Sequence, residues 1–557
     1  MASELLRLPV EILTAIPVYL PNRDIKSLRL SCRALHATSK LRLERVFLSA
    51  NSRNIEVFKA TADHEVLRRQ IVEIIWDDAR LKDEPAPRRS GDPESPNFDP
   101  EFDPDFDEVE EIEVDYDDID DGNDDDDDDS DSDDEECPPW FAIACRKNLQ
   151  DIKNYTRNDV HWPDPIALAK LVAHISLTRS WQHYQNLLQQ QREILAIDAD
   201  AEAFEYGLQR FPALRRVTIT PVAHGWLVSR PLYETPMIRA FPPSFNYPVP
   251  CGLAVERPTQ RLWENTSESE KDTWRGFRLA TRALAKQALA KKTQQQKQGV
   301  TEIAIDVNQT LTGLNAHIFD EECAEQRNLV AVLCRPNFQR LDLALAVGGL
   351  EHYGWRAFRS GCLRRTLAAA PALTHVSLVT DLVDDPDPNY NGQPSGDHNF
   401  IPLHDIFPVN TWAHLSHFRL SRFLVRQGNL FSFVEALPAT LRSLELSFLI
   451  FLDGNYRDLF ADIRNLGWHD RPADERPRVA IGLRNHLRNP KRGVWAERLV
   501  EAFIYHDAPN PFGADGWTAS RIPYGWGGLS KDSFDPAFER PWVPYGELQK
   551  LGYIRTE

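Results

Sequence analysis

Long apolar runs are missing from this 557-residue chain. No stretch approaches ~18 uninterrupted hydrophobic residues, so the sequence offers no membrane-spanning helix and no membrane partner is expected. The opening MASELLRLPVEIL has no basic region ahead of an apolar core, so no secretory signal is expected. Cysteine is sparse, with seven residues (Cys32, Cys137, Cys145, Cys251, Cys323, Cys334, Cys362) that never form a CxxC pair. That spacing suggests neither a zinc ribbon nor a redox couple and predicts reduced thiols in a cytoplasmic or nuclear protein.

Catalytic signatures are also missing: there is no GxGxxG, P-loop, HExxH or GxSxG. Asp387-Pro-Asn389-Tyr-Asn391-Gly392 imitates the start of a calcium loop, but His398 stands where a bidentate Glu is needed, and Pro388 and Pro394 intrude. His414 and His417 lie three apart with no third or fourth ligand nearby. No Cys, His and Asp are marked out as a set, so no cofactor, metal or catalytic residue is predicted. A chain of this kind contributes proximity and leaves covalent chemistry to partners, although an unrecognised enzyme stays open as an alternative.

Basic residues are wholly absent from one segment. Between Asp99 and Glu136 stand 25 Asp or Glu and no Lys or Arg. The net charge of −20 is therefore local: outside that segment 59 of the 84 acids face 64 bases. Six prolines between Pro85 and Pro104 preclude a regular helix, and Asp124 to Asp129 repel one another. Residues 82–139 are expected to be disordered, because they cannot bury enough apolar surface to offset ordering entropy. Ser130 and Ser132 each have an acid three positions on and are phosphorylation candidates, each phosphate adding roughly −1.5 to −2 charge. The segment could capture basic partners or be a plain solvated insertion; its charge argues against a nucleic-acid partner.

What is present begins at residue 8. Pro9 suits the first position of a helix, Glu11 its first turn, and Ile12, Leu13, Ile16 and Leu20 follow at helical spacing until Pro21. Asp24 can cap a second helix carrying Ile25, Leu28 and Leu35, and a third is expected over Leu41, Leu43, Val46 and Phe47. So small a unit is a poor candidate for independent stability. It also holds more apolar positions than three short helices can hide, with Leu8, Pro9 and Ile12 as the surplus. The order Leu-Pro-x-Glu-Ile-Leu, then Asp-Ile-x-Ser-Leu-Arg-Leu, then Cys-Arg-x-Leu resembles the F-box. That resemblance covers under a tenth of the chain. It implies docking on the Skp adaptor, and through it on a cullin scaffold, by Leu8, Pro9, Glu11, Ile12, Leu20 and Leu28. An ordinary helical subdomain with internal leucines is the alternative.

The body repeats one phrase, L-x-x-φ-x-φ with φ apolar, at Leu214 to Ile219, Leu373 to Leu378, Leu415 to Leu420 and Leu441 to Leu446. Phe338 to Leu343 matches with Phe in first place, and Arg478 to Ile481 is a degenerate last copy. Helices are expected before several of them, over Ala199 to Arg210, Cys362 to Ala370 and Leu430 to Leu437. A strand–helix unit that cannot bury its own face stacks on its neighbours, which predicts an α/β fold with an irregular leucine-rich-repeat-like solenoid. The spacings of 35, 42 and 26 residues from Phe338 depart from the usual ~20–29, and a non-repetitive α/β domain is the alternative. Alternation places Thr218, Asp342, Ser377, Arg419 and Glu445 outward as target-facing positions.

The expected organisation is an F-box over 1–50, a helical linker over 51–81, the acidic segment over 82–139, and a repeat region over 140–511. A proline- and aromatic-rich loop followed by a basic helix interrupts that region at 241–300. An aromatic C-terminal cap spans 512–557, with Trp517, Tyr524, Trp526, Trp542 and Tyr545 closing the last repeat or forming a recognition pocket. The function expected is that of a substrate-recognition adaptor of a ubiquitin ligase. A scaffold that holds the Skp adaptor without forming a ligase is the rival.

Overall fold

A computed structural model describes residues 7–20, 22–41, 43–83, 137–158, 176–225, 232–250, 263–292, 299–307, 312–347, 355–382, 400–484 and 493–512. The fold is α/β, with a helix-rich N-terminus and one large parallel sheet. The strands are Arg45–Leu48 (β1), Glu73–Asp77 (β2), Arg216–Thr220 (β3), Glu302–Ile305 (β4), Leu314–Asn315 (β5), Arg340–Ala346 (β6), His375–Thr380 (β7), His417–Ser421 (β8), Leu424–Arg426 (β9), Ser443–Ser447 (β10), Ile450–Asp453 (β11), Arg478–Ala480 (β12), Gly482–Arg484 (β13) and Gly493–Trp495 (β14). Across the main sheet the order is β1-β2-β3-β4-β6-β7-β8-β10-β12, with β5 beside β6. Spatial order thus follows chain order from one edge to the other. Two short parallel strands, β9 and β11, pair separately, and β13 and β14 form an antiparallel pair.

Each connection carries a helix back to the next strand's start, as a parallel pair requires. The helices Ser52–Asp63, Ala199–Arg210, Arg275–Lys292 and Ala324–Leu333 pack each on the next, and the row continues through Cys362–Ala368, Leu403–Ile406, Gln427–Glu435, Tyr456–Arg464 and Glu497–Tyr505. Alternation explains the layering. Ile74, Val217, Ile303, Leu341, Val376, Phe418, Leu444 and Val479 share one register row, and all are buried in the main core with the helices. Their chain neighbours form the opposite, polar face.

The repeated phrase marks β3, β6, β7, β8, β10 and β12, and the expected helix over Ala199 to Arg210 is observed over those residues. The boundaries drawn from sequence need correction. The third N-terminal helix is instead strand β1, because Val46 and Leu48 alternate and find β2 to pair with. The stretch 51–81 is no helical linker: after the helix Ser52–Asp63 it supplies β2, buried along its whole length. The described parts of the 241–300 stretch are also integrated. Phe245 and Tyr247 enter a second hydrophobic cluster, while Phe277, Ala280 and Leu284 put the basic helix into the main core.

That second cluster joins Leu81, Cys137, Phe141, Cys145, Tyr184, Leu187 and Met237, so both ends of the acidic segment meet in one place. Residues 84–136 of that segment, with Ser130 and Ser132, lie outside the described residues, as do the aromatic residues after Phe512 and the calcium-loop-like Asp387 to His398. Phe512 stacks on Tyr456 and Phe460 at 5.6 and 5.8 Å. Among the described residues no helix is long and apolar enough to cross a membrane.

Candidate functional site

Two surfaces bear on function. The first is the N-terminal helical unit: Val10–Ala15, a 3-10 turn at Ile16–Tyr19, Asn22–Ser31 and Arg33–Thr38. Pro9 caps the first helix from just outside it, and its carbonyl accepts from Ile12 and Leu13. Asp24 lies in the first turn of the second helix, where its charge suits the helix dipole, and not at the cap. The third helix is capped by Cys32, whose Sγ accepts from Leu35 N–H.

Inside this unit Leu13, Ile25 and Leu35 are buried, yet none of them joins either large hydrophobic cluster. Together with the buried Pro17 they make a small core among the described residues of the unit. Leu8, Val10 and Ile12 are exposed, at 38%, 55% and 48%, and Tyr19 and Leu30 reach 87%. Five of the ten large apolar side chains exposed among the described residues thus fall within residues 8–30. Pro9 and Glu11 are exposed as well, whereas Leu20 and Leu28 are half-buried. Tyr19 and Leu30 belong to the F-box-like order but were not among the expected docking residues, and Val10 was not singled out; Leu30 lies off the stripe of Ile25 and Leu28.

The second surface is the polar face of the sheet. Thr218, Asp342, Ser377, Arg419 and Glu445 do fall in one register row there. They do not form a target-facing surface, which corrects the expectation. Thr218, Ser377 and Glu445 are closed to solvent at 2%, 3% and 1%. Short side chains in a parallel sheet are shaded by longer ones ~4.8 Å away on either side. Asp342 and Arg419 are half-buried and committed inward.

Charges on this face neutralise one another. Arg45 Nε meets Glu73 Oε2 at 2.6 Å, and Thr218 Oγ1 donates to the other oxygen of Glu73 at 2.6 Å. Arg216 pairs with Glu302 at 2.6 Å, Arg340 with Asp342 at 2.5 Å, and Arg419 with Glu445 at 3.0 Å. Between these pairs the register partners His375 and His417 stack with ring centroids 4.1 Å apart. The row holding Arg45, Glu73, Arg216, Glu302, Arg340, His375, His417 and Arg478 at the strand starts was not read from sequence, because its alternation of sign crosses strands far apart in the chain.

Elsewhere the ionisable groups do structural work. Burial pushes Asp77 up to about 7 and Asp78 up to about 6. Asp78 accepts from Gly276 N–H in the first turn of the helix Arg275–Lys292 and pairs with Arg80 at 2.9 Å. Arg275 is held by Asp198 and Asp200, and Arg278 by Glu268, Asp272 and Glu325, so these two cations of the basic helix are internally paired. Burial lowers His224 to about 4 and raises Cys145 to about 12 and Cys323 to about 11, states unsuited to acid–base or thiolate chemistry at neutral pH. Among the described residues no group of three or more His, Cys, Asp or Glu could hold a metal ion.

No protein-family model matches this chain, and no curated protein matches it.

Proposed function

We propose that this chain is the substrate-recognition adaptor of a Skp–cullin–F-box ubiquitin ligase, a non-catalytic subunit of a cytoplasmic or nuclear complex. The observation that carries the reading is the exposure of Leu8, Ile12, Tyr19 and Leu30 beside a small described core of Leu13, Pro17, Ile25 and Leu35. Apolar surface left in water forfeits roughly 25 cal/mol per Å², most at Tyr19 and Leu30 and less at the part-covered Leu8 and Ile12, and a partner's apolar surface would recover it. The residue order Leu8-Pro9-x-Glu11-Ile12-Leu13 resembles the F-box, and on that resemblance the partner is the Skp adaptor.

The body, on this reading, is an irregular leucine-rich-repeat-like solenoid that holds a target protein. Coincidence of chain order and spatial order supports it, as does the single row of helices behind the strands. The target then meets loops and rim positions, since Thr218, Ser377 and Glu445 are covered.

Affinity purification of the intact protein beside a Leu8→Ala, Pro9→Ala, Ile12→Ala triple variant tests the proposal. The intact chain is expected to bring down the Skp adaptor and a cullin, and the variant to lose both while keeping its other partners. Recovery of the Skp adaptor without a cullin would reduce the protein to a scaffold. Equal recovery by the variant would overturn the docking assignment.

A further inference from the structure

The two edges of the main sheet differ. At one end the outward backbone groups of Pro477, Val479 and Ile481 are taken up by Tyr505, Glu501 and Ala496, so β12 is covered by the helix Glu497–Tyr505 and the residue before it. At the other end β1 pairs only with β2. The carbonyl of Glu44 accepts from Val72 and Glu73, so alternation turns the backbone groups of Val46 toward β2 and those of Arg45 and Phe47 away from it. Among the described residues nothing hydrogen-bonds those outward N–H and C=O groups. Arg45 is exposed and Phe47 half-buried. The one charge of the strand, on Arg45, is matched by Glu73 at 2.6 Å, so no unpaired charge guards this edge.

The helix behind this edge is open on the same side. In Ser52–Asp63, Phe58 packs on Phe211 and Asp63 accepts from Tyr206 OH, so one flank of the helix lies against Ala199–Arg210. At about 100° per residue, Arg53, Val57 and Ala60 fall on the opposite flank. All three are exposed, Val57 at 39%. The first unit of the array thus ends in unpaired backbone on the sheet side and an uncovered apolar residue on the helix side.

We infer that this end of the array is an interface with a second copy of the chain, in which β1 pairs antiparallel with β1 about a two-fold axis at Val46. The covered β12 decides the occupant. It blocks the addition of β1 of one copy to β12 of the next, which would build an open fibre, and leaves β1 to meet its own kind in a closed pair. Two identical edges related by a two-fold axis run antiparallel. Centred on Val46, each Arg45 stands opposite Phe47 of the other copy and exchanges both backbone bonds with it, so every outward group of the two residues is satisfied. Centring on Arg45 would instead set like charges opposite one another. Directly opposed side chains share a sheet face, which brings each guanidinium to the other copy's ring. The Val57 flanks then approach where the two helix rows meet. The pairing makes no use of the N-terminal docking helices, so it stands or falls separately from the adaptor reading.

Sedimentation of the full-length protein over a concentration series, with residue-resolved hydrogen exchange at both ends of the series, tests the interface. A dimer with a dissociation constant in the micromolar range is expected, because so short a contact falls below the standard interface size. The amides of Arg45 and Phe47 should exchange freely when dilute and gain about tenfold protection when concentrated, while Val46 is protected throughout. Val57→Glu changes an exposed position, should leave the thermal melt of the dilute protein unchanged, and should weaken the dimer about tenfold by setting like charges across the axis. Phe47→Pro removes an outward N–H that β2 does not use and should abolish the dimer. A protein that stays monomeric at the highest concentration would overturn the inference, whether β1 then takes an extended target segment or nothing. So would a dimer that persists in both variants, or one that leaves Arg45 and Phe47 unprotected.

Discussion

The carboxylate of Glu501 accepts a hydrogen bond from the backbone N–H of Val479 at 3.2 Å, on the outer side of the sheet's last strand. Tyr505 OH donates to the carbonyl of Pro477 at 2.6 Å, and Ala496 N–H to that of Ile481 at 3.0 Å. These three outward-facing groups of the edge are thus satisfied from the helix Glu497–Tyr505 and the residue before it, which covers the strand there. The arrangement has an electrostatic cost, because burial, with Glu497 nearby, pushes Glu501 up to about 7.

That shift sets a pH dependence. An acid whose folded value lies above its unfolded value of 4.5 contributes stability that is complete below about 4.5 and is lost as pH rises through about 7. Glu501→Gln keeps the acceptor for Val479 and removes the charge. Thermal melts should show the variant about 2 °C more stable than the parent at pH 8, with the advantage shrinking toward pH 5. An advantage that does not change with pH would contradict the assignment.

The exposed and buried apolar residues of the N-terminal unit should separate stability from binding. Leu8→Ala and Ile12→Ala should change the stability of the isolated protein by no more than about 0.5 kcal/mol, as exposed substitutions do. Leu13→Ala or Ile25→Ala should cost about 2–5 kcal/mol and melt the helical unit. Local hydrogen exchange over residues 10–38 reads the difference, and pull-down of the Skp adaptor shows whether the first pair loses binding without unfolding.

Glu445 is 1% exposed and answered by Arg419, with Ser447 Oγ donating to the same Oε1 at 3.0 Å. Arg419→Met should destabilise the sheet by about 3–5 kcal/mol, because it strands a buried carboxylate. Arg419→Met with Glu445→Leu should recover most of that loss. Urea denaturation of the two variants decides it, and a double variant as weak as the single one would show that the pair matters beyond charge.

Gly207 lies where the helix Ala199–Arg210 crosses Ser52–Asp63. A Cβ there would fall 2.4 Å from Phe58 Cζ and 2.9 Å from Phe211 Cε2, and Phe58 is fully buried. Gly207→Ala should cost about 1–3 kcal/mol through overpacking, despite the better helix propensity of Ala. Adding Phe58→Leu should return part of the loss, which a denaturation cycle of the two substitutions measures.

Much of the array was legible. Leucine-led phrases at Leu214, Leu373, Leu415 and Leu441, with Phe338, mark strands that form with the expected alternation, because a strand with one buried face must alternate. Three further strands of the main sheet carry the same phrase but were not read as strands. Leu43 leads β1, while Ile71 and Val300 lead β2 and β4, and Val or Ile fills that buried first position as well as Leu does. β1 also satisfied a helical reading, since Leu43, Val46 and Phe47 fit a 3.6-residue period; only β2, beyond the intervening helix, broke the tie.

By itself, the sequence determined which residues are apolar at which period, where the one-signed tract lies, and that the first helices carry surplus hydrophobic surface. Those properties depend on residues a few positions apart. Tertiary structure alone decided that Arg45 meets Glu73, that Thr218, Ser377 and Glu445 are shaded, and that Trp140 meets Trp181 beside both roots of the acidic tract. Register between strands and contact between distant helices are set by packing of the whole core, and no local pattern encodes them.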